Sequence, residues 1–242
     1  MTTTFEALGL SPKILKSLEK TALKSPTPIQ EQAIPHIMAG KDIMGLAQTG
    51  TGKTAAFGLP LLHRILDLGH PPAPKTVRAL ILAPTRELVS QINDNLEVFT
   101  KGTAVKIAMV VGGASLFKQA ERLKRGADVL VATPGRLIDL LERGDVSLHA
   151  TGYLVLDEAD RMLDMGFIPD IETICSKLPA TRQTLLFSAT MPPPIKKLAD
   201  KFLTNPKYIE VARPASANIN IAQHKVPVAS NRVKREVLRH LL

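Results

Sequence analysis

Two short stretches combine residue types that could bind and cleave a nucleoside triphosphate. The first, GLAQTGTGKT over residues 45–54, ends in Gly52-Lys53-Thr54. Gly50 and Gly52 permit the tight backbone in which successive N–H groups point at phosphate oxygens. Lys53 would neutralise the β- and γ-phosphates, and the Thr54 hydroxyl would ligate Mg²⁺. Ala47 stands where the usual G-x-x-x-x-G-K-[ST] pattern has its first glycine, which leaves the cradle intact. Gln48, Thr49, Gly50, Thr51, Gly52, Lys53 and Thr54 are therefore the candidate nucleotide-binding set. The second stretch, YLVLDEAD over 153–160, places Asp157 at the end of an apolar run. There it could hold Mg²⁺ through water, with Glu158 beside it as the candidate base for an attacking water. Alone, two acids at that point also suit a helix N-terminus; their pairing with the loop favours a nucleotide site.

Such groups need a scaffold that brings strand ends together. Nearly continuous aliphatic runs predict strands at 42–47, 78–83, 106–111, 128–133, 153–157 and 183–188. Runs of this kind suit parallel strands covered on both faces. Between them lie amphipathic stretches, TRELVSQINDNLEVFT and SLFKQAERLKRG among them, and a helix is expected from about Lys53 to Leu66. The alternation predicts an α/β fold: a doubly wound, mostly parallel sheet with helices on both faces and ligands beyond the carboxyl ends of the strands. GHPPAPKT at 69–76 is a loop, because its prolines fix φ and supply no N–H donors. From about residue 211 the pattern changes to a linker, one strand and the start of a helix, as though a second domain had just begun.

Composition bounds the function. Of 242 residues, 45% are hydrophobic and 22% charged, which fits a globular chain rather than a disordered one. No apolar run is long enough to span a bilayer, and MTTTFEALGL lacks a basic leader, so neither a membrane span nor a signal peptide is expected. The single cysteine, Cys175, excludes an internal disulfide and suits the cytoplasm; its setting, IETICSKL, reads as a buried helix face. The six histidines lack metal-ligand spacing, so no zinc site is expected. Lys and Arg outnumber Asp and Glu by 31 to 22, and a net +9 attracts polyanions.

The tetrapeptide DEAD at 157–160, in register after such a loop, resembles the signature of DEAD-box RNA helicases. Over nearly all of residues 1–210 the chain is similar to the first RecA-like domain of that family, with motifs in the family's order. These are PTPIQ (26–30), AQTGTGKT (47–54), PTREL (84–88), GG (112–113), TPGR (133–136), DEAD and SAT (188–190). Any one of them is weak; the ordered set is very specific. Ala47 is the residue with which this family's loop begins, and DEADRMLDMGF also resembles the bacterial RhlE-type group.

The resemblance implies ATP and Mg²⁺ as cofactors and RNA as partner. It implies that Gln30, in an N-terminal segment over residues 1–35, reads the adenine edge, as an amide carrying both a donor and an acceptor can. The family stacks an aromatic on the base where this chain has Leu23, preceded by Ala22 instead of glycine; an aliphatic side chain can still cover the ring. Phe5 matches the family's upstream aromatic, and also suits an ordinary core position. Pro84, Thr85, Arg86, Gly113, Thr133, Pro134, Gly135 and Arg136 are implied to line the surface that grips the sugar-phosphate strand. Ser188 and Thr190 are implied to bond to Asp160 and couple nucleotide state to RNA grip. Residues 211–242 would be a linker and the truncated start of a second RecA-like domain. The family's arginine fingers lie in that domain, so this chain is expected to hydrolyse ATP weakly on its own; it is also expected to be monomeric. A non-catalytic RNA-binding scaffold and a P-loop motor acting on DNA are the alternatives.

Overall fold

The computed structural model describes residues 3–19, 21, 23–211, 226–228 and 230–241. The chain divides into two compact units, Met1–Val211 and Ala212–Leu242. In the first, seven strands form one sheet: β1 (Ile43–Leu46), β2 (Val77–Leu82), β3 (Ile107–Val110), β4 (Ala127–Ala132), β5 (Tyr153–Leu156), β6 (Gln183–Ser188) and β7 (Lys207–Glu210). Their order is β3-β4-β2-β5-β6-β1-β7, and every pairing is parallel. The aliphatic runs mark β1 to β6 to within one residue at each end. β7 escapes that reading because it is an edge strand in which only Ile209 is buried, so it carries no apolar run.

Alternation along each strand divides the interior into two cores. Ile81, Val131, Val155 and Leu185 face the first, with α1 (Pro12–Leu18), α2 (Pro28–Met38), α3 (Lys53–Asp67) and α4 (Arg86–Phe99) packed over them. Leu82, Leu130, Leu154 and Leu186 face the second, under α5 (Leu116–Leu123), α6 (Pro134–Glu142), α7 (Ala159–Asp164), α8 (Ile168–Ser176) and α9 (Pro193–Phe202). Each large side chain so buried contributes roughly 1.5–3 kcal/mol. Phe5 belongs to the first core, and Cys175, on α8, to the second, where burial pushes its thiol up to about 12.

Because every strand runs the same way, the turns after β1 to β6 all emerge along one edge of the sheet. Buried polar groups fix the opposite end of β1: Asp42 accepts from the backbone N–H groups of Thr184 (2.8 Å) and Thr204 (2.6 Å). In the second unit the described element is α10 (Asn231–Leu241), the helix expected there; the strand expected before it falls largely outside the described residues. No described helix is long and apolar enough to cross a membrane.

Candidate functional site

β1 ends at Leu46, and residues 47–52 turn directly into α3, whose first residue is Lys53. Gly50 and Gly52 adopt φ of +84° and +90°, the left-handed region that only glycine enters freely. Gly52 excludes a side chain for a second reason, since a Cβ there would collide with Gln30 Nε2. Lys53 is 6% exposed, and its ammonium donates to the Ala47 carbonyl at 3.1 Å and lies 3.8 Å from Asp157 Oδ1. Burial, opposed by the Lys53 charge and reinforced by Glu158, raises Asp157 to about 6. An ion pair at this distance attracts by about 4 kcal/mol at an effective dielectric constant of 20. Stripping water from each ion costs several kcal/mol, so the pair contributes little as a structural device. Its chemistry is that of a ligand site: a buried cation at a helix N-terminus, facing a carboxylate.

Glu158 follows at the N-terminus of α7 with φ +54° and ψ +52°. A non-glycine residue held there costs roughly 1–2 kcal/mol. The strain turns its carboxylate toward the loop, where Oε1 accepts from Thr49 Oγ1 at 3.2 Å and Oε2 lies 3.4 Å from Arg161 Nη1. Asp160 joins α7 to the end of β6. Its Oδ2 accepts from both the N–H and the hydroxyl of Thr190 (2.9 Å each), and its own N–H donates to Ser188 Oγ at 3.2 Å. Partial burial works against the charged carboxylate, but the bonds from Thr190 and Ser188 outweigh it and hold Asp160 below the usual range.

Gln30 is wholly buried on α2, and its amide is already engaged. Oε1 accepts from Thr27 N–H and Nε2 donates to the Gly52 carbonyl, both at 3.0 Å. The sequence expectation of a reader for the base therefore meets a side chain that here latches the phosphate loop to α2. One N–H and one lone pair of the amide stay unused, yet with Gln30 fully buried a base edge reaches them only if neighbouring residues shift. Leu23 packs, half-buried, against the first core, while Ala22 lies outside the described residues. Gln48, Thr49 and Gly50 are exposed at the loop tip, Thr51 Oγ1 donates to the Gln48 carbonyl at 2.7 Å, and Thr54 is half-buried in the first turn of α3.

Along the same edge, the ends of β2, β3 and β4 carry the other predicted set. Thr85 caps α4 by accepting from Leu88 N–H at 3.2 Å, after a buried Pro84. The exposed Arg86 lies over Gly113, where φ is +75° and a Cβ would sit 2.5 Å from Arg86 Nη1. The space over Gly113 is therefore filled by an arginine of the same chain. Thr133 is the buried residue before α6, Pro134 opens that helix, and Gly135 faces Asp170. Arg136 Nη1 donates to the Ala114 carbonyl at 2.8 Å and pairs with Asp139, so it ties α6 to the turn after β3.

Residues without a role in the sequence reading complete the geometry. Arg161 stands three positions after Glu158, a helical spacing that could have been noticed. The Thr49–Glu158 and Lys53–Ala47 bonds leave no sequence trace, because a loop hydroxyl and a carbonyl become specific only through the fold. No group of three or more His, Cys, Asp or Glu that could hold a metal occurs among the described residues. The donor set suits Mg²⁺ held by one hydroxyl and one carboxylate, Thr54 and Asp157, with the remaining ligands from phosphate and water.

A family model described as DEAD/DEAH box helicase matches residues 27–198. DEAD-box ATP-dependent RNA helicase 52A of Oryza sativa subsp. japonica is 46% identical over 98% of this chain and 42% of its own length. DEAD-box ATP-dependent RNA helicase CshA of Bacillus cereus is 45% identical over 99% of this chain and 45% of its own, and ATP-dependent RNA helicase CshA of Listeria monocytogenes matches to the same extent. The chain thus spans less than half the length of these relatives. With its match over most of the sequence and its RecA-like sheet, the chain belongs to the DEAD/DEAH box helicase family.

Proposed function

We propose that this chain is the first motor domain of an ATP-dependent RNA helicase, residues 1–210 binding Mg·ATP and the RNA sugar-phosphate backbone. The observation that carries the reading is the convergence of Lys53, Asp157, Glu158 and Thr49 from two distant motifs on one strand-end site. In this reading the α3 N-terminus and Lys53 hold the phosphates, replacing the Ala47 carbonyl with phosphate oxygen. Mg²⁺, when bound, screens the phosphate charge and is held by Thr54 and Asp157. Glu158 orients the attacking water and accepts its proton, with carboxylate lone pairs that the Thr49 hydroxyl leaves free. Asp160, Ser188 and Thr190 connect that carboxylate strand to β6, and the surface of Thr85, Arg86, Thr133 and Arg136 grips RNA without reading bases. Duplex separation requires the arginine fingers of a second RecA-like domain, of which 211–242 would be the beginning. The finer assignment to the bacterial RhlE-type group rests on DEADRMLDMGF at 157–167. A cytoplasmic, monomeric protein fits the single cysteine and the backbone-reading surface.

Calorimetric titration with Mg·ADP and Mg·GDP, repeated on Gln30→Ala, tests the reading. Adenine preference that disappears in the variant supports both the site and its reader. Equal affinity of the unaltered chain for the two nucleotides would overturn the adenine assignment.

A further inference from the structure

The opposite edge of the sheet carries a second large concavity that none of the nucleotide or RNA chemistry uses. A cleft of about 1040 Å³ opens between α1, the C-terminal end of α3, the loop 69–71, the turn 101–106 and the first residues of β2 and β4. Strand β4 alone is six residues long. At ~3.3 Å per residue the cleft is roughly 20 Å from the strand ends that carry Thr85 and Thr133.

Its walls divide by chemistry. Ile65, Leu66, Val98 and Val105 supply an aliphatic floor, with Val98 49% exposed. Lys13, Lys16, Lys101 and Lys106 stand exposed around it, and none has a carboxylate within 4.0 Å among the described residues. The acid lining the cleft, Asp128, is neutralised by Arg78 at 2.6 Å and accepts from the Lys106 backbone N–H at 2.8 Å. Lys16 and Lys101 also complement the C-terminal ends of α1 and α4. That role leaves Lys13 and Lys106 unexplained, and it explains no apolar floor.

We infer that this cleft is a docking site for a partner protein, which inserts an acidic segment bearing aliphatic side chains. Uncompensated lysines attract and orient the acids, and the floor takes the apolar side chains between them. Single-stranded RNA fits less well, because no Phe, Tyr or Trp lines the cleft for bases to stack on, and the ring of His70 is engaged by Arg78 at 2.8 Å. Placed at the far edge, such a partner binds while nucleotide and RNA occupy their own edge.

The test uses the full chain and a short fluorescein-labelled peptide that alternates aspartate with leucine, read by anisotropy. A matched aspartate–serine peptide and unlabelled oligouridine serve as competitors. Saturable binding is expected, weakened at least roughly tenfold both by the leucine-to-serine change and by Lys16→Glu with Lys101→Glu. Val98→Asp should weaken it similarly, and unchanged Mg·ADP affinity in each variant certifies its fold. Absent binding, equal affinity for both peptides, or binding indifferent to the three substitutions overturns the inference. Displacement by oligouridine also overturns it and makes the cleft an RNA surface instead.

Discussion

The two halves of the functional edge are built on opposite principles. Around the phosphate loop the working groups are buried: Gln30 is 0%, Asp157 2%, Lys53 6% and Glu158 8% exposed, each held by a partner within the same site. On the half proposed to grip the strand, Arg86 and Gly113 are open to solvent, and Thr85 and Arg136 have local caps and carbonyls as partners. A buried charge has large electrostatic leverage on a ligand, and removing its counter-ion destabilises the fold even where the intact pair adds little. An exposed charge acts on a polyanion at long range and matters little to the fold. Substitutions on the first half should therefore disturb stability and binding together, and on the second half mainly binding, with at most small costs in stability.

Lys53→Ala should give the largest effect. It removes the cation proposed to bind phosphate and leaves Asp157 buried without its counter-ion. Breaking a buried pair in this way typically destabilises by about 3–5 kcal/mol. Part of that is relieved because Asp157 can take up a proton. Mg·ADP affinity should fall by roughly two orders of magnitude or more, and urea unfolding should show a lower midpoint with unchanged m. Full stability with lost binding would mean that the pair is not part of the fold, and would break the comparison.

Two glycines sharpen it further, since both have positive φ and both lie under a side chain. At Gly52 an added methyl meets the buried amide of Gln30; at Gly113 it meets the movable end of exposed Arg86. Gly52→Ala should cost about 3 kcal/mol, combining the left-handed backbone with a collision that cannot relax. Gly113→Ala should cost about 1 kcal/mol, the backbone contribution alone. Thermal melts of the two variants, side by side, measure the difference.

The pH dependence of Asp157 has a definite sign. Its native value of about 6 lies above the unfolded value of 3.8, so between those pH values the native state holds more protons. Stability contributed by this group is full below pH 3.8 and is lost as pH rises through 6, on the order of 3 kcal/mol in all. Asp157→Asn should abolish that slope. Plotted as wild type minus variant between pH 4 and 8, the unfolding free energy should decline with pH; a flat or rising difference would show that burial does not govern the carboxylate.

Strand positions were legible because double-sided burial writes itself as aliphatic runs, as in VRALIL and QTLLFS, while β7 was not because an exposed edge strand needs only one buried residue. Asp160 with Ser188 and Thr190 was legible only through family resemblance, as the partners lie 28 and 30 residues apart. What escaped is the state of the groups. Nothing local to PTPIQ tells that the Gln30 amide bonds to Gly52, or to PTREL that Arg86 covers Gly113, because each contact joins segments that only the sheet brings together.

The smallest effects are expected on the proposed gripping surface, and there the two arginines should differ. Arg86→Ala removes one exposed cation with no described ion pair, so it should leave the melting temperature unchanged, with stability within about 0.5 kcal/mol. If Arg86 contacts one phosphate, the slope of log K against log salt for single-stranded RNA should shrink by about 0.7. Arg136→Ala should reduce the slope equally but also release the Ala114 carbonyl, at a cost of about 1 kcal/mol. Arg86→Lys separates charge from geometry: retaining a point charge should restore the slope, because backbone gripping needs only neutralised phosphate. A slope that stays low in Arg86→Lys would mean that the planar guanidinium, seated on Gly113, is what the strand contacts, and the exposed half of the site would then be as exacting in its geometry as the buried one.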